Sequence, residues 1–223
     1  MGIEIEKLGD LLLGGRVNQV WEYLAEEFPE KERGSGFYEA LKEAMYYIGE
    51  QWEENAITVA EEHVASQVCK NLLIYKQYKT MKRNSFTRKA GLRKAMFFCV
   101  EGEQHDLGIQ IASNIFEESG WQTKCLGANL PLQHAVEFAE KFRPEVIGIS
   151  ANIAYYLPLI SKYIDELEKL DFFPTIMVGG RLASNYDLEF HCPPNVMIIQ
   201  DLSQLEELII NTGAVQHGNA ISG

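Results

Sequence analysis

The chain has 223 residues, 46% of them hydrophobic, and a formal net charge of −12. That length can hold one large domain or two small ones with buried cores, and the acidic balance argues against a general nucleic-acid binder, which needs clustered Lys and Arg for its phosphate contacts. The apolar runs are too short and too interrupted to cross a bilayer, and Met1-Gly2-Ile3-Glu4 opens no basic or secretory leader, so the expectation is a cytoplasmic protein with no membrane partner.

From the start to about residue 82 the apolar residues recur at three- and four-residue steps, as in Leu8/Leu11/Leu12, Val17/Val20/Trp21/Leu24 and Phe37/Leu41/Met45/Ile48/Trp52. This period predicts amphipathic helices with no strand between them. Gly14-Gly15, Pro29 through Gly36 and Asn55-Ala56 are the expected breaks, and Thr58-Val59-Ala60-Glu61 has the form of a capping box opening a further helix. Four short helices joined by short loops predict a bundle over residues 1–82.

Residues 83–93 read as a polar linker. Basic side chains crowd around it, from Lys76, Lys79, Lys82 and Arg83 to Arg88, Lys89, Arg93 and Lys94, with no acid between His63 and Glu101. The simplest reading is a solvated helix end and linker, its cations favoured by the helix C-terminal dipole, and the alternative is a patch for a partner or nucleic acid. Most of the negative excess lies beyond it: residues 94–223 hold 7 basic and 17 acidic side chains, against 13 and 15 before them.

After the linker the period changes to alternating strand and helix. Strands are expected at Ala95–Val100, Gln122–Leu126, Val146–Ser150, Thr175–Val178 and Val196–Ile199, with helices at Leu107–Ser119, Leu132–Phe142, Leu157–Leu170, Leu182–Phe190 and Leu202–Asn211. Five strand–helix units in succession predict an α/β domain over residues 94–212, a flavodoxin-like (Rossmann-type) five-stranded parallel sheet. Residues 213–223 read as a flexible tail.

Such sheets bind ligands beyond the carboxyl ends of their strands. The loop Glu103-Gln104-His105-Asp106-Leu107-Gly108 follows the first strand and places an imidazole there. His105 could be a metal ligand, a general base or a polar loop residue. Ser150 follows the third strand and Gly179-Gly180 the fourth, so all of these converge on one edge, although a helix cap and a tight turn would also explain the serine and the glycines. Cys69, Cys99, Cys125 and Cys192 are widely spaced without a CxxC pair and are expected to be buried free thiols rather than a zinc or disulfide framework. His134, His191 and His217 are isolated from one another and are expected to be surface residues.

Taken together, residues 95–211 resemble the cobalamin-binding domain, whose signature is an acid-x-His-x-x-Gly loop, a serine after the third strand and a Gly-Gly after the fourth. The resemblance implies that His105 holds cobalt as the lower axial ligand. It also implies that Glu103 orients the imidazole through a hydrogen bond, and that Gly108, Ser150, Gly179 and Gly180 line the cavity for the cofactor's tail. The common form of the motif has Asp where this chain has Glu103.

Trp52, followed after nine residues by Glu62-His63, resembles the helical cap of CarH-type light-sensing cobalamin proteins. That resemblance implies adenosylcobalamin as cofactor, with Trp52, Val59, Glu62 and His63 covering its upper face. It further implies a light-triggered loss of the adenosyl group, signalled through a homo-oligomer (dimer or tetramer) or a protein partner. Two departures stand out. No DNA-reading domain precedes the bundle here, so direct DNA binding is not expected, and Glu53 occupies the position of the family's light-state histidine. The alternative is the corrinoid carrier protein of a methyltransferase system, which would hold methylcobalamin and be no enzyme by itself. A phosphoreceiver domain would need Asp where Ser150 stands.

Overall fold

The computed structural model describes residues 3–28, 35–84, 92–185, 188 and 191–218. The chain divides into two compact units, Met1–Phe86 and Thr87–Gly223.

The first unit holds four helices: α1 (Ile5–Leu13), α2 (Val17–Glu27), α3 (Ser35–Glu53) and α4 (Val59–Asn84). The three- and four-residue steps seen in the sequence become its core, through Leu8 and Leu12, Val20 and Leu24, Phe37, Leu41, Ala44 and Ile48, and Ala65, Val68, Cys69 and Leu72. α1 packs on the other three helices, while α2 and α3 each pack on α4. Gly15 takes the left-handed conformation between α1 and α2 (φ 70°), and Asn55 does so between α3 and α4 (φ 60°), where a short polar side chain tolerates it best. The capping box forms: the Thr58 N–H donates to Glu61 Oε2 at 2.7 Å, and the Glu61 N–H donates back to Thr58 Oγ1 at 3.3 Å. Several expectations are corrected. α3 and α4 are long, at 19 and 26 residues, and α4 runs through Arg83 and Asn84. Lys76, expected on a solvated helix end, is buried with its ammonium 3.7 Å from the centre of the Tyr38 ring, while Trp52, which closes the apolar series of α3, is 47% exposed. Cys125 also departs from expectation in being exposed, while Cys69, Cys99 and Cys192 are buried. Most of the expected break at Pro29 through Gly36 lies outside the described residues, as do residues 85–91 of the linker.

The second unit contains β1 (Lys94–Cys99), α5 (Leu107–Glu118), β2 (Gln122–Cys125), α6 (Leu132–Phe142), β3 (Val146–Ser150), α7 (Leu157–Leu167), β4 (Thr175–Gly179), α8 (Arg181–Asn185), β5 (Met197–Ile198) and α9 (Leu202–Gly218). All pairings are parallel and the strand order is β2-β1-β3-β4-β5, as a flavodoxin-like fold requires. β1 and β3 are buried along nearly their whole length because helices cover both faces. Met96 and Phe98 of β1 join the core with Ala135, Ala139, Tyr163 and Ile164 of α6 and α7. Phe97 faces the other way and meets Phe116 of α5 edge to face, with centroids 5.2 Å apart. At the amino edge of the sheet the Arg93 guanidinium lies over the Trp121 ring and bonds Glu145 at 2.8 Å.

Three element ends differ from expectation. α8 is a five-residue helix, with residues 186, 187, 189 and 190 outside the described set, and β5 is a two-residue edge strand preceded by Pro193-Pro194. α9 continues to Gly218, so residues 213–218 are helical rather than a frayed tail, and residues 219–223 are not described. Among the described residues no helix is long and apolar enough to cross a membrane.

Candidate functional site

Register determines what meets at the carboxyl edge of the sheet. Cys99 of β1 lies beside Ser150 of β3, and Ser150 lies beside Gly179 of β4. The three central strands therefore end in one row, and the loops carrying Glu103 and His105, Ala151 and Asn152, and Gly180 leave from the same level.

Glu103 and His105 form a pair of unequal exposure. The glutamate side chain is fully buried, while the imidazole is 64% exposed. Glu103 Oε1 accepts the His105 backbone N–H at 2.9 Å and lies 2.6 Å from His105 Nδ1. Its Oε2 accepts the Asn152 N–H at 2.7 Å. Burial by itself would raise the carboxyl pKa, but the hydrogen bonds from the His105 ring and backbone and from Asn152 outweigh it and hold Glu103 below its ordinary value. An anionic carboxylate against Nδ1 puts the imidazole proton there, leaving the lone pair on Nε2, the tautomer suited to donate to a metal. The glutamate that replaces the commoner aspartate thus reaches both the imidazole and the next loop.

The loop is held from several sides. The Gly102 N–H donates to Asn129 Oδ1 at 2.8 Å, and the Asn129 N–H donates to the Glu103 carbonyl at 2.9 Å. Tyr163 reaches up from α7, accepting the Glu101 N–H and donating its hydroxyl to the Leu130 carbonyl at 2.5 Å. Burial raises the Tyr163 hydroxyl above its ordinary value, which keeps it a proton donor.

Beside this loop stand Ser150, Gly108 and Gly180. Ser150 Oγ is buried with no hydrogen-bond partner in the structure, and a Cβ placed on Gly108 would meet only that oxygen, at 4.0 Å. Gly180 adopts φ 104°, and a Cβ there would come within 2.6 Å of the Ala151 carbonyl and 2.8 Å of Ser150 Oγ. Glycine is required at 180 by both conformation and space. Glu103, His105, Gly108, Ser150, Gly179 and Gly180 are thus brought together. Asn152, Asn129 and Tyr163 were not singled out from the sequence. A polar residue two places beyond an all-buried strand was the only available signal for Asn152.

Trp52, Val59, Glu62 and His63 belong to the helical unit and gather around the α3–α4 connection. Trp52 and Val59 are exposed apolar side chains, 47% and 54% accessible. Glu62 Oε1 accepts the Ser66 hydroxyl at 2.6 Å, and Oε2 lies 3.7 Å from the exposed His63 Nε2. Of the other histidines, His134 and His191 are exposed, and the side chain of His217 lies outside the described set. Among the described residues no group of three or more His, Cys, Asp and Glu could hold a bare metal ion.

A parallel sheet whose carboxyl edge carries a buried carboxylate, an exposed imidazole and a buried serine hydroxyl without a partner belongs to the class of α/β proteins whose ligands bind at that edge. Comparison with known families makes that class specific: residues 93–199 match the B12 binding domain, and residues 4–75 match a second family model of the same description. The chain therefore carries B12-binding domains in both of its units.

Among curated proteins, dimethylamine corrinoid protein 1 of Methanosarcina acetivorans is 32% identical over 87 residues, covering 38% of this chain and 41% of that protein. The HTH-type transcriptional repressor CarH of Myxococcus xanthus is 27% identical over 117 residues, covering 51% of this chain and 36% of that protein. The match spans less than half the length of either relative. By identity the likeness to the corrinoid protein is at least as close as that to CarH, so the matches carry B12 binding and do not single out light sensing. The fold is shared with the Methanosarcina barkeri monomethylamine corrinoid protein, at a TM-score of 0.72 and 20% identity over 92% of this chain and 96% of that one.

Proposed function

We propose that this chain binds cobalamin, with His105 as the protein ligand to cobalt, and serves as the methyl-carrying subunit of a methyltransferase system. The observation that carries the cofactor assignment is the Glu103–His105 pair, in which the buried carboxylate takes Nδ1 and leaves the donor role to Nε2. A corrin supplies its own four nitrogens, so one protein donor at an exposed edge suffices. The buried Ser150 hydroxyl without a partner fits the cofactor's heterocyclic tail, with Gly108 leaving room beside it, and Gly179 and Gly180 are proposed to line the same place through their backbone. Bound cobalamin supplies a cobalt–carbon bond that can be made and broken, and the chain's own residues hold and orient it. Trp52, Val59, Glu62 and His63 are the further cofactor-binding residues of this proposal, and methylcobalamin replaces adenosylcobalamin as the expected form.

The methyl-carrier assignment is supported by kinship to the dimethylamine corrinoid proteins and by Glu53, which leaves no histidine directly after Trp52. The chain would then have no catalysis of its own, and its protein partners would be the methyltransferases that load and unload it. A homo-oligomer and the lack of direct DNA binding remain part of this proposal. The second reading, a light-responsive adenosylcobalamin sensor, is favoured by the spacing of Trp52 to Glu62-His63 and by the likeness to CarH.

One experiment separates them: reconstitution in the dark with methyl- or adenosylcobalamin, desalting, then visible spectra and size exclusion before and after green light. Retention of both forms, with an elution volume unchanged by light, supports the carrier. Selective retention of the adenosyl form with a light-shifted elution volume would replace it with the sensor. Loss of both cofactors would end the cobalamin assignment.

A further inference from the structure

Asn152 lies two residues beyond Ser150 in the loop that follows β3. Its backbone N–H and both ends of its amide are engaged. The N–H donates to Glu103 Oε2 at 2.7 Å, Nδ2 donates to the His105 carbonyl at 3.1 Å, and Oδ1 accepts the Arg181 N–H at 2.8 Å. Two of these bonds go to the loop bearing the imidazole, and the third goes to the turn after β4. The same oxygen would lie 3.0 Å from a Cβ on Gly180, so the glycine turn closes directly on the amide.

We infer that Asn152 is a positioning residue, locking the backbone that carries His105 to the Gly179-Gly180 turn so that the imidazole and the Ser150 hydroxyl keep one relative geometry. Glu103 orients the ring about its own bonds, and Asn152 sets where that pair stands. The chemistry requires an amide, because the side chain must donate to one loop and accept from the other at once. Aspartate could only accept, and alanine could do neither. The bonds span 47 residues on one side and 29 on the other, so they join loops that are distant along the chain. This inference rests on the reading of His105 as the cobalt ligand, but half of its test needs no cofactor.

The test uses the full chain labelled with ¹⁵N-histidine, as wild type, Asn152→Ala, Asn152→Asp and His105→Ala. Without cofactor, ¹⁵N–¹H correlation of the imidazoles should show His105 in wild type as a single Nδ1-protonated tautomer, averaged between tautomers in both Asn152 variants. With cobalamin reduced to cobalt(II), histidine ligation gives a two-line ¹⁵N splitting in the electron paramagnetic resonance spectrum. The ratio of imidazole-ligated to unligated cobalt should fall about tenfold in Asn152→Ala, as expected for losing the two side-chain hydrogen bonds that tie one loop to the other, while the cofactor is retained. Asn152→Asp, nearly the same size, keeps the Arg181 bond and should fall between the two. Wild-type tautomer and wild-type splitting in both variants would overturn the inference. A wild type with no histidine splitting, together with tautomer averaging in the variants, would instead sink the cobalt assignment and leave Asn152 as the positioner of the pair.

Discussion

Replacing Glu103 with Gln keeps the shape of the side chain and removes its charge. The carboxylate is fully buried and accepts from three nitrogens at 2.6–2.9 Å, each a charge-assisted bond worth about 1.5–3 kcal/mol. A glutamine can point its oxygen at His105 or at Asn152 but not at both. Its NH₂ then faces an N–H donor, so at least one bond is lost and two donors are opposed. The expected cost is about 3 kcal/mol of stability in the α/β unit. Trp121 is the only tryptophan of that unit, so urea unfolding followed by its fluorescence, with Trp21 and Trp52 replaced by Phe, should show the midpoint falling by about 1–2 M.

The same pair makes a pH prediction. Glu103 titrates below its ordinary value of 4.5 in the folded protein, so its stabilisation is fully present above about pH 4.5. It is lost as pH falls through the lower, folded value. The margin of wild type over Glu103→Gln should therefore be present at pH 5 and close in more acidic buffer. A margin under about 0.5 kcal/mol at pH 7, or one that persists undiminished to pH 2, would refute the account of the pair.

Three further outcomes are expected. Gly180→Ala should cost about 2–4 kcal/mol, because it adds a contact to the Ala151 carbonyl to the strain of a positive φ, whereas Gly120→Ala, at φ 88° with open space around it, should cost only about 1 kcal/mol. Equal melting temperatures for the two variants would contradict this. Burial pushes the Cys69 thiol from 9.0 to about 12, with Glu62 adding to the effect. The helical unit should therefore lose up to about 4 kcal/mol between pH 9 and 12, and Cys69→Ala should flatten that loss in circular dichroism melts. Thr58→Ala should lower the stability of the helical unit by about 1 kcal/mol by removing the cap of α4, with Thr58→Ser close to wild type; indistinguishable unfolding of all three proteins would remove the capping box from the account.

Much of this protein is legible along the chain because the signals are local. A period near 3.6 up to residue 82 and alternating strand and helix afterwards reflect which faces must be buried, and those faces became the two cores. The Thr58–Glu61 box and the loop from Glu103 to Gly108 are short enough to read residue by residue. Tertiary structure alone decided the rest. The register that aligns Cys99, Ser150 and Gly179 makes one site of three loops, and it depends on pairing between strands some 30–50 residues apart. The full burial of Glu103 beside an exposed His105, the reach of Asn152 to both neighbouring loops and the exposure of Trp52 at the end of an apolar series are likewise long-range outcomes. Hydrophobic period constrains only a segment's own face. Which backbone groups are left to pair across the strand ends, and which side chains have the length to reach them, is decided when the segments are packed together.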